Sequence, residues 1–237
     1  MSLKKRINYP VIFVFFIVAI SGNVYCMSGL SSGSMPQDSI ITNQVLYNGR
    51  AWRNMYPAVK GDPYFLREDF LPGTVTINGI TFRDKFILYD INRDELIILT
   101  DKKFVLLLNK EMIERFSISW NNQVYRFLKL TKDSLSRLEG FVNELYDGKS
   151  AVYIKYRKTV EQRAVDGLYD GFVQSSRVYV KKDGIPILIK NKKQLLDLFG
   201  EKKAKVKQYI KSNRLMVSGK LPESFVPVTQ YYDSISR

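Results

Sequence analysis

The chain has 237 residues, 45% of them hydrophobic and 25% charged, a balance that excludes a wholly disordered chain and leaves room for one core or two small ones. It has no histidine and a single cysteine, Cys26, which excludes a disulfide framework and a zinc finger and removes the commonest general base and metal ligand. The net charge of +14 is uneven: residues 149–220 carry 18 basic against 6 acidic side chains, whereas residues 27–148 balance at 15 of each.

The first 26 residues read as a secretory signal peptide. Lys4, Lys5 and Arg6 form a positive start, Val11 to Ile20 is almost wholly apolar, and Ser21, Gly22 and Asn23 follow. The apolar run is short for a membrane span. Cys26 falls at the processing point, as the last residue removed or, in the alternative, as the acylated first residue of a lipoprotein. Tyr25 favours simple cleavage, because small residues normally precede a lipidated cysteine. The expected location is therefore the periplasm or the outer-membrane surface.

Residues 27–45 are rich in Ser and Gly and read as a flexible leader. Residues 46–72 mix aromatics with turn formers and read as irregular chain packed on a sheet edge. Trp52, Tyr56 and Tyr64 are the candidate aromatic contact residues there, since half-exposed Trp and Tyr commonly anchor partners.

From residue 73 the pattern becomes that of antiparallel strands. Asn78-Gly79 lies between alternating runs, the strongest local hairpin signal, and pairs Ile77 with Ile80 and Val75 with Phe82. Phe86–Ile91 and Leu96–Leu99 are apolar on both faces, as in strands covered on two sides or curled into a barrel wall. Asn92-Arg93-Asp94-Glu95 turns between them, and Asp101-Lys102 leads to Phe104–Leu108. A hairpin at Trp120-Asn121-Asn122-Gln123 pairs Ile118 with Tyr125 and Phe116 with Phe127. Leu135–Leu138 reads as a short helix or a loop.

Asp147-Gly148 and Asp183-Gly184 turn two further hairpins. In the first, Phe141, Leu145, Val152, Ile154 and Tyr156 share a face that also carries the misfits Asn143 and Ser150. In the second, Pro186 points to an edge strand, because it lacks a ladder N–H. After Lys190 the period changes. Asn191 reads as an N-cap with Gly200 past the helix end, and helices are expected over 192–199, 201–213 and 221–235. The expected fold is α+β, mainly β: an antiparallel hairpin meander over 46–190, curved or partly barrel-like, with C-terminal helices from 191 to 237 on the same domain.

Chemistry is sparse. There is no phosphate-cradling glycine loop and no nucleophile elbow. Asp90, Asp94 and Glu95 gather at one turn and suit the acid/base pair of a glycan hydrolase, or simply cap the turn. Lys155, Arg157, Lys158, Lys190, Lys192 and Lys193 form a candidate anion-binding surface. Export argues against nucleic acid, and the lysines of 202–207 read as solvated helix surface. No cofactor or metal is expected.

Three stretches resemble a group of uncharacterised exported proteins of Bacteroidetes-type bacteria: Asn48-Gly49-Arg50-Ala51-Trp52 with Gly61-Asp62-Pro63-Tyr64-Phe65; Tyr89-Asp90-Ile91 with Asp94-Glu95-Leu96; and Lys-rich helices ending in Tyr231-Tyr232-Asp233-Ser234-Ile235. The resemblance implies an envelope location and no particular activity. The expectation is a non-enzymatic envelope protein binding a protein partner, or an anionic glycan or lipid headgroup. A lipid or small-molecule barrel and a carboxylate-dependent glycan hydrolase are the alternatives. An integral outer-membrane barrel is disfavoured by the terminal helices.

Overall fold

The computed structural model describes residues 44–131, 138–161 and 170–236. The expected signal peptide with Cys26, the leader up to residue 43 and the undecided segment before Leu138 lie outside them. Among the described residues no helix is long and apolar enough to cross a membrane.

Eleven antiparallel strands form one sheet that is not closed: β1 (Arg50–Ala51), β2 (Leu71–Ile77), β3 (Ile80–Asp90), β4 (Glu95–Leu99), β5 (Val105–Leu107), β6 (Ile113–Trp120), β7 (Gln123–Leu130), β8 (Gly140–Asp147), β9 (Ala151–Glu161), β10 (Gly171–Lys182) and β11 (Ile185–Ile189). Their order is β1-β5-β4-β3-β2-β6-β7-β8-β9-β10-β11. Two meanders thus run outward from a central β2–β6 pair, because Leu108–Met112 returns the chain from β5 to β2 instead of extending the first meander. The fold is α+β and mainly β.

The hairpin registers follow the turn chemistry. Ile77 faces Ile80 and Val75 faces Phe82, with Asn78 and Gly79 both at positive φ. Val75, Ile77 and Phe82 are buried, whereas Ile80 is 40% exposed because it sits at the hairpin tip. Ile118 faces Tyr125 and Phe116 faces Phe127, with Asn121 and Asn122 both left-handed. Val178 faces Ile189 and Val180 faces Ile187. Pro186 lies in β11, which is an edge of the sheet as its missing N–H requires. In the β8–β9 hairpin a register shift between Glu144 and Tyr146 inserts an extra residue. Of the misfits there, Asn143 donates Nδ2 to Arg126 O at 2.9 Å while its Oδ1 is buried with no hydrogen-bond partner among the described residues, and the Ser150 backbone N donates to Asp233 Oδ2 at 2.9 Å.

The doubly apolar strands are covered on both faces from Ile87 to Ile91 and from Leu96 to Ile98, whereas Phe86, expected among them, is 50% exposed. Ile87, Tyr89, Leu96 and Ile98 enter the main core, while Leu88, Ile97 and Leu107 pack outward under Tyr64, Trp52 and Phe70. The main core is a cluster of rings. Phe116 stacks on Phe127 at 4.7 Å, and Tyr89 and Phe141 meet them edge-on. Leu46 is fully buried in this core and Val45 packs beside it.

Strong curvature brings β3 towards β9, and the segment Lys60–Phe65 fills the gap. Phe65 N donates to Tyr89 O at 2.8 Å and Ile91 N to Pro63 O at 2.9 Å. On the other side Lys60 N donates to Asp170 O at 2.8 Å and Phe172 N to Lys60 O at 3.2 Å. Lys158 N reaches Ile91 O directly at 3.3 Å.

Three helices close one end: α1 (Lys192–Leu198), α2 (Lys203–Ser212) and α3 (Val226–Ile235), the last two each led in by a 3-10 turn. Leu195, Phe199, Val206, Ile210, Phe225 and Val228 form a second core with Val152, Val178 and Val180 of the sheet. The lysines at 203, 205 and 207 are exposed around buried Val206, a solvated face as its spacing requires. Asn191 Oδ1 caps α1 by accepting from Gln194 N at 3.0 Å, and Gln194 Oε1 accepts from Lys190 N at 2.7 Å. Asn191→Ala is expected to cost about 1 kcal/mol, read as a lowered urea midpoint with an unchanged slope.

Candidate functional site

The structural centre of the candidate site is Asp94, at positive φ in the turn between β3 and β4. Four donors meet its carboxylate. Oδ1 accepts from Tyr89 Oη at 2.6 Å and Lys155 Nζ at 3.0 Å; Oδ2 accepts from Lys110 Nζ at 2.7 Å and Phe141 N at 3.2 Å. Lys155 Nζ also donates to Phe141 O at 2.9 Å. One carboxylate therefore ties the β3–β4 turn to β8, β9 and the chain before β6.

Burial alone would raise the Asp94 pKa, but the Lys155 charge and the hydrogen bonds from Lys110 and Tyr89 outweigh it and hold the carboxyl below its ordinary value. Burial pulls Lys155 down, with Lys110 and Arg157 adding repulsion, and Asp94 offsets only part of this. Tyr89, fully enclosed and beside the same carboxylate, is pushed well up.

The hub needs a glycine beside it. Gly140 has φ +78°, and a Cβ there would lie 1.9 Å from Asp94 Oδ2. Gly140→Ala is expected to combine backbone strain with displacement of Asp94, lowering stability by about 2 kcal/mol in denaturant unfolding.

Beside the hub opens a cleft of about 640 Å3. Six basic side chains line it (Arg93, Lys110, Lys129, Lys155, Arg157 and Arg177) against three carboxylates. Strand pairing places the basic groups: Lys155 and Arg157 alternate onto one face of β9, and β10 sets Arg177 opposite Lys155 and Ser175 opposite Arg157. Four of the six are engaged. Lys110 and Lys155 share Asp94, Lys129 pairs with Glu111 at 2.7 Å, and Arg93 pairs with Glu95 at 2.9 Å. Arg157 and Arg177 are exposed and, among the described residues, have no hydrogen-bond or ion-pair partner.

The basic residues singled out from sequence do not form one surface. Lys155 and Arg157 lie in this cleft. Lys158 turns to the opposite face and donates to Asp62 Oδ1 at 2.9 Å. Lys190 lies in a separate shallow groove that borders the cleft only at Arg177, and Lys192 and Lys193 begin α1 beyond it. Arg93, Lys110, Lys129 and Arg177 were not singled out. They come from four separate parts of the chain, and only strand pairing and sheet curvature assemble them.

Trp52, Tyr56 and Tyr64 do come together, in a second cleft of about 510 Å3 that also holds Arg50, Arg53 and Glu95. Trp52 and Tyr56 are half-buried, and Tyr64 is 9% exposed in the outer apolar cluster. Burial, reinforced by the nearby Asp90 charge, pushes the Tyr64 hydroxyl up to about 12. Tyr56 meets Phe172 edge-on at 5.1 Å, and its hydroxyl donates to Asn92 Oδ1.

The three turn carboxylates do not share a cleft. Asp94 lines the basic one, whereas Asp90 and Glu95 line the aromatic one. Asp90 Oδ1 accepts from Asn92 N at 2.8 Å and Arg93 N at 2.9 Å, capping the turn. Its pKa is raised because burial outweighs those backbone hydrogen bonds. No group of three or more carboxylate, Cys or His side chains suited to a metal ion occurs among the described residues.

Asp62 Oδ1 accepts from Tyr64 N and Lys158 Nζ; Asp233 Oδ2 accepts from Tyr146 Oη and Ser150 N. Comparison with protein-family models, with curated proteins and with solved structures returned no match to this chain.

Proposed function

We propose that this is a non-enzymatic binding module of the cell envelope that captures an oxyanion-bearing ligand (a carboxylated, sulfated or phosphorylated group) in the basic cleft. The observation that carries the reading is the pair Arg157 and Arg177, which face the cleft with no ion-pair partner among the described residues. A guanidinium matches an oxyanion with two parallel N–H donors, and the surrounding ammonium groups add field without needing direct contact. The buried Asp94 hub supports it by holding Lys110 and Lys155 in place, so little side-chain ordering is required on binding.

Two features favour a surface site over the alternatives. The inner face of the sheet is occupied by interlocking rings of Phe65, Tyr89, Phe116, Phe127 and Phe141, where a lipid-holding barrel would need space. The two turn carboxylates that do share a cleft are already engaged, Glu95 with Arg93 at 2.9 Å and Asp90 with the backbone N–H groups of Asn92 and Arg93, which weakens the hydrolase reading. The basic start and apolar run of residues 4–20 support export.

The test is calorimetric titration of the protein with a heparin-derived disaccharide, and co-sedimentation with phosphatidylglycerol vesicles. One arm reads a glycan source of the anion, the other a lipid headgroup. The variant Arg157→Ala with Arg177→Ala is expected to weaken whichever arm binds by at least about tenfold, since each charge-assisted hydrogen bond contributes about 1.5–3 kcal/mol. Unchanged binding in that variant, or no binding in either arm, refutes the reading.

A further inference from the structure

The basic and aromatic clefts are ends of one trough. A third depression, of about 410 Å3, shares Arg93 and Lys110 with the basic cleft and Arg50, Arg93, Glu95 and Leu107 with the aromatic one. Arg93 lines all three, and its neighbour Asn92 lines the basic cleft while accepting the Tyr56 hydroxyl of the aromatic end. The dividing wall is therefore the single turn of Ile91–Asp94, which the Asp94 hub and the Asp90 cap hold rigid.

We infer that this trough binds an elongated acidic oligosaccharide, with a sugar ring against Trp52 and Tyr56 and an anionic substituent between Arg157 and Arg177. The inference rests on the anion-binding reading of the basic cleft and adds the ligand class and its direction.

The chemistry of the two ends selects that class. The C–H bonds on one side of a pyranose form an apolar, slightly positive surface that packs on the electron-rich face of an indole or phenol ring. Vicinal hydroxyls suit a carboxylate and a guanidinium side by side, as Glu95 and Arg93 stand at 2.9 Å. A compact anion would use only one end. A trough that is basic at one end, mixed in the middle and aromatic at the other fits a chain of rings carrying spaced charges.

The experiment compares di- and hexasaccharides from heparin and from polygalacturonate, with maltohexaose as the neutral control and hexaglutamate as an acidic peptide. Binding is read by calorimetry and by Trp52 emission in a Trp120→Phe background. At least one acidic hexasaccharide is expected to bind roughly tenfold more tightly than its disaccharide and to change Trp52 emission. Trp52→Ala with Tyr56→Ala should remove that gain and leave the disaccharide unaffected, while Arg157→Ala with Arg177→Ala should weaken both. The emission readout needs no truncation in the cleft, so it decides the matter even if the aromatic variant does not fold.

Equal affinity for both lengths with silent Trp52 emission overturns the trough but leaves the anion site, provided the arginine variant still abolishes binding. If the arginine variant changes nothing, the anion reading itself fails. Equal or tighter binding of maltohexaose or hexaglutamate overturns the acidic-glycan assignment, as does failure of every acidic saccharide to bind.

Discussion

Asp94→Asn is expected to lower stability by about 3 kcal/mol, because removing one partner of an enclosed charge pair leaves the others uncompensated. Here the others are two ammonium groups. Lys155 and Lys110 are 19% and 30% exposed and would face each other across an amide. The isosteric change keeps the packing, so the loss reports charge and not volume. It is measured by urea unfolding of the two proteins at pH 7.

The pH dependence has a definite sign. The folded Asp94 pKa lies below that of the unfolded chain, so its stabilisation is complete above the ordinary carboxylate value of about 4. It is lost as the pH falls below that value and through the folded pKa. Asp94→Asn should therefore flatten the acid limb of the stability curve, and the two proteins should converge as pH falls. A constant gap down to pH 2 would refute this account of the hub.

Phe65→Ala is expected to cost about 3–5 kcal/mol, the range for truncating a buried Phe. Phe65 is 3% exposed and touches Tyr89, Tyr125, Phe127 and Tyr156, with centroid separations of 4.8 to 6.3 Å. It differs from its neighbours in being carried by the connecting segment and not by a strand. Its loss should open a cavity and also free the Lys60–Phe65 segment from the gap between β3 and β9. Hydrogen exchange should accordingly quicken at the amides of Phe65 and Ile91, which pair with Tyr89 O and Pro63 O. Amides of the β10–β11 hairpin, which belong to the second core, should change least.

The two substitutions probe the same architectural feature from opposite chemistries. Asp94 pins the outer rim of the curl by charge, and Phe65 fills its inside with an aromatic ring. The trough along Arg93 exists only while β3 and β9 are held together, so both variants should also weaken any ligand bound there. Asn191→Ala, in the remote α1 cap, should leave binding unchanged.

Local physics determined much of what the sequence alone conveyed. Asn78-Gly79, Asn121-Asn122 and Asp183-Gly184 admit positive φ at both turn positions, and a two-residue turn leaves one register for the flanking strands. Pro186 marked an edge because a ring nitrogen donates nothing, and Asn191 marked a helix start because its side chain reaches back to a free N–H. The doubly apolar β3 and β4 announced two covered faces without saying what covers them.

Only the tertiary structure decided the strand order at β2–β6, the covering of the outer face by Trp52, Tyr64 and Phe70, and the make-up of the clefts. Asp94 meets Lys155 at a sequence separation of 61, and Arg177 stands opposite Lys155 across two strands whose connection, residues 162–170, is too long for a two-residue turn to set the register. Such meetings depend on how far the whole sheet twists and curls, a sum over many strands that no short window contains. The aromatic trio was legible as a composition, but its joining to the basic cleft through Arg93 is a product of that curvature.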